Sequence, residues 1–217
     1  MQRGLLITFE GSEGCGKSTQ IQQLSVRLQK AGKQVLLTRE PGGTPIGEEI
    51  RHLLQYSRIN SAMKPETELL LFTASRAQIV REVIEPALAT GITVIADRFM
   101  DSTTVYQGVA RRIDPEAVRF INAFATGICR PDLTFVLDLD GNIARTRMQL
   151  RSNPTGVTDR MEQEPPDFYE NVRTGYLRLA AAEPGRILIL DASQSIEEIS
   201  NRIWELLQTK FHGIFTE

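Results

Sequence analysis

Short apolar bursts alternate with amphipathic stretches along the chain. Near-continuous apolar runs occupy residues 5–9, 34–38, 93–97, 133–139 and 187–191, the length of strands and short for helices. Between them, apolar residues recur at three- and four-residue spacing over 18–31, 67–89, 115–126, 166–182 and 196–211. That is the period of helices with one buried face. Strands apolar on both faces, separated by helices, predict an α/β fold: a five-stranded parallel sheet flanked by helices on both sides. No repeat or linker interrupts the alternation, so residues 1–217 are expected to form one domain. The polar, turn-rich stretch 152–158 breaks the pattern and reads as part of a mobile lid spanning about 145–164.

Composition narrows the partners. Hydrophobic residues make up 41% of the 217 and charged residues 24%, as in ordinary globular domains, and the net charge is −2. No global basic field favours nucleic acid or an anionic membrane. The two cysteines, Cys15 and Cys129, make no disulfide framework and suit a reducing cytosol. The first apolar run begins within five residues of Met1, and no run nears membrane-spanning length, so a cytoplasmic protein without a leader is expected.

The first strand and first helix enclose Gly11-Ser12-Glu13-Gly14-Cys15-Gly16-Lys17-Ser18, which fits G-x-x-x-x-G-K-[ST]. Glycines let the backbone N–H groups turn inward on an anion, and the helix N-terminus adds favourable potential. Lys17 can reach the β- and γ-phosphates of a nucleoside triphosphate, and the Ser18 hydroxyl can bind Mg²⁺. Modification of Cys15, inside this loop, would block the nucleotide. In an open parallel sheet, ligands gather at the carboxyl ends of the strands. Arg39 follows the second run, Asp97-Arg98 closes the third, and Arg145 and Arg147 follow the fourth. Cations converging beside a phosphate loop predict a second anion site. A regulatory GTPase is the rival of a different class. Asp138-Leu139-Asp140-Gly141 fits D-x-x-G, but N-K-x-D is missing, since no asparagine in the chain precedes a lysine.

The ordered set Phe9-Glu10-Gly11, Thr38-Arg39-Glu40-Pro41-Gly42-Gly43-Thr44, Leu71-Phe72-Thr73-Ala74-Ser75-Arg76, Asp97-Arg98-Phe99, Tyr106-Gln107-Gly108, Arg130-Pro131-Asp132 and Asp159-Arg160-Met161-Glu162 resembles the bacterial thymidylate kinases, P-loop nucleoside monophosphate kinases. The resemblance runs over nearly the whole chain. It implies transfer of the γ-phosphoryl group from ATP to dTMP, with another nucleoside or nucleotide kinase as the near alternative. It implies that Phe72 stacks on thymine and that Arg76, four residues on, donates to a base carbonyl. Ser102, Thr103 and Gln107 would lie near the base, and the Tyr106 ring beneath the sugar would exclude a ribose 2′-hydroxyl. Glu13 and Glu40 resemble acidic positions near the sugar and metal. Arg39, Arg51 and Arg98 would hold the acceptor phosphate, and Asp97 would bind or orient Mg²⁺ together with Ser18. Glu13 and Cys15 occupy loop positions where some members carry a catalytic arginine. The lid is therefore expected to supply that charge, from Arg151 or Arg160. The family is homodimeric through helices, and the apolar faces of 78–89 and 102–110 are the candidate surfaces.

Overall fold

β1 (Leu6–Glu10) is the central strand of a five-stranded sheet in the order β2-β3-β1-β4-β5, formed with β2 (Val35–Arg39), β3 (Thr93–Asp97), β4 (Leu133–Asp138) and β5 (Ile187–Asp191). The computed structural model describes residues 3–150 and 159–212. Every neighbouring pair of strands is parallel, with Phe9 opposite both Asp97 and Phe135. The five apolar runs therefore form the strands, their ends shifted by no more than one residue.

Alternate side chains of each strand supply opposite faces, so one sheet holds two cores. Ile7, Phe9 and Phe135 pack with Ile21, Leu24 and Leu28 of α1 (Lys17–Lys30) and with Ile199, Ile203 and Leu207 of α9 (Ile196–Lys210). Leu6 and Val94 point the other way, onto Ile79 of α3 (Pro65–Ile79) and Leu88 of α4 (Glu85–Ala89). A third cluster joins Val105 and Tyr106 to Phe168, Val172 and Tyr176 of α8 (Pro166–Ala182).

Two departures from the hydrophobic pattern bear on the site. The stretch 67–89 is one path of chain but not one regular helix: a π-helical turn, Val80–Ile84, separates α3 from α4. Pro86 has no N–H to give to the preceding turn, and a widened turn accommodates the missing bond. A second π-helical segment, Thr104–Ala110, continues α5 (Met100–Thr103) and carries Tyr106 and Gln107. The helices α2 (Pro45–Gln55) and α7 (Gly141–Gln149) are not among the expected stretches, although Ile46, Ile50, Leu53 and Leu54 recur on α2 at helical spacing. The start of α2 is set by local chemistry: Thr44 Oγ1 caps the Gly47 N–H at 3.0 Å, and Pro45 occupies the first turn. α6 (Pro115–Thr126) begins in the same way, on an Asp114 cap. Among the described residues no helix is long and apolar enough to cross a membrane.

Candidate active site

The carboxyl ends of β1, β3 and β4 open onto one edge of the sheet, and the phosphate loop lies there. Gly11 and Gly14 adopt φ of +130° and +75°. A Cβ on Gly11 would come within 2.6 Å of the Leu137 carbonyl oxygen, and one on Gly14 within 2.7 Å of the Ala144 carbonyl oxygen. Only glycine fits at either position. Gly16 precedes α1 in a left-handed conformation, with no side chain capping the helix and no acidic residue in its first turn. The first amides of α1 are thus left for an anion. Lys17, 8% exposed, folds over the loop, donating to the carbonyls of Gly11 (3.2 Å) and Ser12 (2.9 Å). Cys15 is 1% exposed, with its sulfur 3.8 Å from Lys17 Nζ. The thiol expected to be a point of modification is closed off inside the loop.

Ser18 donates to Asp97 Oδ2 at 3.3 Å, which joins the start of α1 to the end of β3. A hydroxyl and a carboxylate beside the phosphate loop suit a hard cation that keeps its waters and takes other oxygens from phosphates, as Mg²⁺ does. Among the described residues no cluster of three or more His, Cys, Asp or Glu forms an all-protein metal cage.

Arg98, immediately after β3, has φ of +70°, a left-handed conformation for a non-glycine residue. Such strain persists only where surrounding contacts impose it. Its guanidinium donates to Glu13 at 2.6 Å and to Ser102 at 3.1 Å, and lies 5.0 Å from the centre of the Tyr106 ring. The Tyr106 hydroxyl donates to the other Glu13 oxygen at 3.1 Å. Burial alone would raise the Glu13 carboxyl, but the Arg98 and Lys17 charges outweigh it and hold it below its ordinary value. Behind this group stands Glu10, which the sequence reading missed. It accepts from the Phe99 N–H (2.8 Å), the Ser102 hydroxyl (2.6 Å) and the Tyr176 hydroxyl (2.7 Å). One acid at the end of an otherwise apolar strand was the available signal. Burial, with the nearby Asp101 charge, pushes the Glu10 carboxyl up.

A cleft opens beside Glu13 and Arg98. Phe72, Ser102, Thr103, Tyr106 and Gln107 line it, with Pro41, Gln55 and Met161. Phe72 is half-buried on α3 and lines the cleft. Arg76 differs from expectation. It is 1% exposed, is not part of the cleft wall, and uses its whole fork on protein acceptors. Nε and Nη2 reach Glu40, Nη1 donates to Thr103 and Asn122 at 2.8 Å each, and Nη2 also donates to the Phe99 carbonyl at 3.1 Å. Four hydrogen bonds and the ion pair with Glu40 thus hold the guanidinium on protein acceptors. Burial, the largest influence, pushes the Glu40 carboxyl up to about 7 although Arg76 opposes it.

The three arginines expected at an acceptor phosphate separate. Arg98 lines the cleft; Arg51 donates to the carbonyl of Pro41, a cleft residue, at 2.9 Å. Arg39 is half-exposed and held by Glu48 of α2 at 2.9 Å, away from the cleft wall. Arg160 also departs from expectation. It donates to Glu68 at 2.5 Å and to the Leu54 carbonyl at 3.1 Å, and the same Glu68 meets Gln107 of the cleft wall. The buried carboxylate explains this: Glu68, 1% exposed on α3, requires cationic partners. Arg151 lies outside the described residues, as do positions 152–158 of the lid stretch. Arg147 donates to the Ala192 carbonyl after β5 at 3.2 Å. Asp138, the D-x-x-G aspartate, is gripped by Arg173 at 2.6 and 2.9 Å.

The apolar side chains of the two surfaces expected to pair subunits are mostly buried within the chain, Val109 excepted at 37% exposure. Ile79, Val80, Ile84 and Leu88 of 78–89 are in the core, as are Val105 and Tyr106 of 102–110. The exposed apolar side chains gather elsewhere, on α6 and just beyond it: Phe120, Phe124 and Ile128 are 69%, 79% and 96% exposed.

Comparison with known proteins gives one consistent result. The thymidylate kinase family model matches residues 9–203. A thymidylate kinase of Geobacter sulfurreducens is 47% identical over 206 residues, covering 94% of this chain and 96% of the relative. That of Chlorobium luteolum is 48% identical over 212 residues, covering 95% and 98%. That of Deinococcus radiodurans is 44% identical over 212 residues, covering 98% and 100%.

Proposed function

Because the chain belongs to the thymidylate kinase family, we infer that it transfers the γ-phosphoryl group of ATP to dTMP, giving dTDP and ADP. The observation that carries this reading is the contact between Glu13 in the phosphate loop and Arg98 in the acceptor cleft, which brings two anion sites side by side.

The chemistry is electrostatic. The acceptor oxygen of a nucleoside monophosphate is already ionised at neutral pH, so no general base is required. Two polyanions must instead be brought together and the transferring group's charge stabilised. The loop 11–18 holds the donor phosphates through backbone amides and Lys17. Arg98 neutralises the acceptor phosphate, with Arg51 as a second cation nearby. Ser18 and Asp97 would hold Mg²⁺, which would neutralise charge on the donor phosphates. Phe72 stacks on the base. The Tyr106 ring, pinned to Glu13, lies where a 2′-hydroxyl would sit, favouring deoxyribose by exclusion. Arg76 and Glu40 act one step back, fixing Thr103 and the loop that carries Pro41. A lid cation closes the site against water, and Arg160, docked on Glu68, leaves Arg151 the better candidate for the phosphates.

A GTP-dependent switch fits worse, because Asp138 is occupied by Arg173 and the guanine-reading motif is missing from the sequence. The enzyme would work in the cytoplasm as a homodimer, paired through the apolar α6 face, without nucleic acid or membrane. A coupled assay of ADP release over dTMP, dUMP, CMP and thymidine tests the reading. Robust turnover of dTMP with ATP supports it, and turnover of CMP ahead of dTMP sinks it.

A further inference from the structure

Two buried ions set the polarity of two neutral side chains at the base end of the cleft. Gln107, 2% exposed, lines the cleft with Phe72. A carboxamide can present either end, and here its partner decides which: Gln107 Nε2 lies 2.7 Å from Glu68 Oε1. Glu68 is also gripped by Arg111 through Nε and Nη2 and by Arg160 through Nη2. Burial alone would raise its carboxyl, but the hydrogen bonds from Arg111, Gln107 and Arg160 outweigh it and hold it below its ordinary value. An ionised carboxylate has only acceptors. Gln107 can therefore meet it only through its NH₂, and Oε1 is the end left for the cleft.

Thr103 is fixed in the opposite sense. Its Oγ1 accepts from Arg76 Nη1 at 2.8 Å, and a guanidinium has no lone pair to offer in return. The hydroxyl hydrogen is what Thr103 can still donate. The cleft wall thus holds an acceptor at Gln107 and a donor at Thr103, each fixed by a charge that points away from the ligand. Gln55 of α2 adds a second acceptor: it is 8% exposed, and its Oε1 has no partner among the described residues.

We propose that Glu68 is a positioning residue that, through Gln107, makes this site select a pyrimidine carrying hydrogen on ring nitrogen N3. The proposal rests on the cleft being the nucleotide acceptor site. Thymine and uracil present a carbonyl at position 4 and N–H at position 3, the complement of a donor and an acceptor. Cytosine presents an amino group and a bare nitrogen, reversed at both points. A wall of fixed polarity leaves its buried readers unpaired against cytosine, which in comparable sites costs about 10⁴-fold in kcat/KM. Without Glu68, the Gln107 amide is free to rotate and offer either end.

The test compares kcat/KM for dTMP, dUMP, dCMP and N3-methyl-dTMP in wild type, Glu68→Gln and Arg111→Lys, with folding followed by thermal melting. Wild type should favour dTMP and dUMP over dCMP by about a thousandfold or more and lose about a hundredfold on N3 methylation. In Glu68→Gln the dTMP-to-dCMP ratio should fall at least about tenfold, mainly through KM, as the reader loses its fixed orientation. Arg111→Lys loosens the same carboxylate but keeps the Gln107 bond, so its ratio should stay near wild type. A folded Glu68→Gln with an unchanged ratio overturns the proposal, as does an Arg111→Lys ratio that falls equally. If Glu68→Gln does not fold, the wild-type enzyme decides: equal turnover of dTMP and N3-methyl-dTMP overturns the proposal. Absence of dTMP turnover in wild type would instead strike the functional reading itself.

Discussion

Arg98 and Glu13 meet at 2.6 Å although one follows β3 and the other sits in the turn between β1 and α1. Because β1 and β3 are neighbours in the sheet, the end of one strand carries Arg98 to the rim of the glycine-rich loop 11–18. The pair also shares Tyr106, whose ring Arg98 faces and whose hydroxyl Glu13 binds.

Arg98→Ala should therefore lower kcat by about 10³-fold or more while ATP affinity changes only a few-fold. Arg98→Lys should not rescue it. An ammonium cannot reach Glu13 and Ser102 at once while facing Tyr106. Steady-state kinetics with ATP titration by equilibrium binding checks this, and an active Lys variant would remove the bidentate role.

Asp97 and Ser18 give a separate prediction. Asp97→Asn keeps the 3.3 Å contact with Ser18 sterically possible but removes the charge. The Mg²⁺ concentration for half-maximal activity should rise about tenfold or more, the usual effect of altering a partner of bound metal. Ser18→Ala should shift it in the same direction. An unchanged Mg²⁺ dependence in both variants would move the metal elsewhere.

Glu40 makes stability depend on pH. Its carboxyl is pushed up to about 7 in the folded chain from an ordinary 4.5. A raised native pKa means the folded state holds the proton more tightly. The contribution is fully present below about 4.5 and is lost as pH climbs through 7. Glu13 and Glu68, both held below their ordinary 4.5, act with the opposite sign and only in more acid solution. Glu40→Gln should thus match wild type near pH 5 and gain on it by up to about 3 kcal/mol by pH 8. Thermal melting of both proteins across that range is the measurement. Parallel curves would place the Glu40 titration outside this window.

The exposed Phe120, Phe124 and Ile128 predict an interface. An exposed apolar patch of large side chains marks a contact surface. The Phe120→Glu and Phe124→Glu double variant should sediment as a monomer with unchanged far-ultraviolet circular dichroism. A dimer that survives both changes would rule out the α6 face.

The sheet could be read from the sequence because strands buried on both faces leave continuous apolar runs, and five such runs became five strands. The phosphate loop was equally plain, since Gly11 and Gly14 occupy backbone positions that only glycine can take. Helix α2 was legible too, in its Thr44-Pro45 start and in Ile46, Ile50, Leu53 and Leu54 at helical spacing, whereas short, polar α7 has few apolar positions to mark it. At the site, the family resemblance pointed to Phe72 and Gln107 and the strand end pointed to Arg98, but neither could say where a long side chain ends. Arg76 and Arg160 illustrate the limit. Each has the reach to touch a ligand, and each is captured by a buried acid, Glu40 or Glu68, distant in sequence. Glu10 and Glu68 looked like charges interrupting apolar segments, which by itself does not distinguish a functional acid from an exposed one.

The capture of Arg160 separates two lid cations by experiment. In the structure Arg160 ties the segment after position 158 to Glu68 and to the Leu54 carbonyl, next to Met161 in the cleft wall. Removing it should loosen the base end of the acceptor cleft. Arg160→Ala is expected to raise KM for dTMP about tenfold with a smaller fall in kcat, because lost positioning acts mainly on binding. Arg151→Ala should do the reverse: a cation acting only on the transferring group lowers kcat by about 10³-fold and leaves KM nearly unchanged. The same pair of assays decides the assignment either way. A collapse of kcat in Arg160→Ala with KM for dTMP intact would mean that Arg160 leaves Glu68 during turnover and carries the catalytic charge itself.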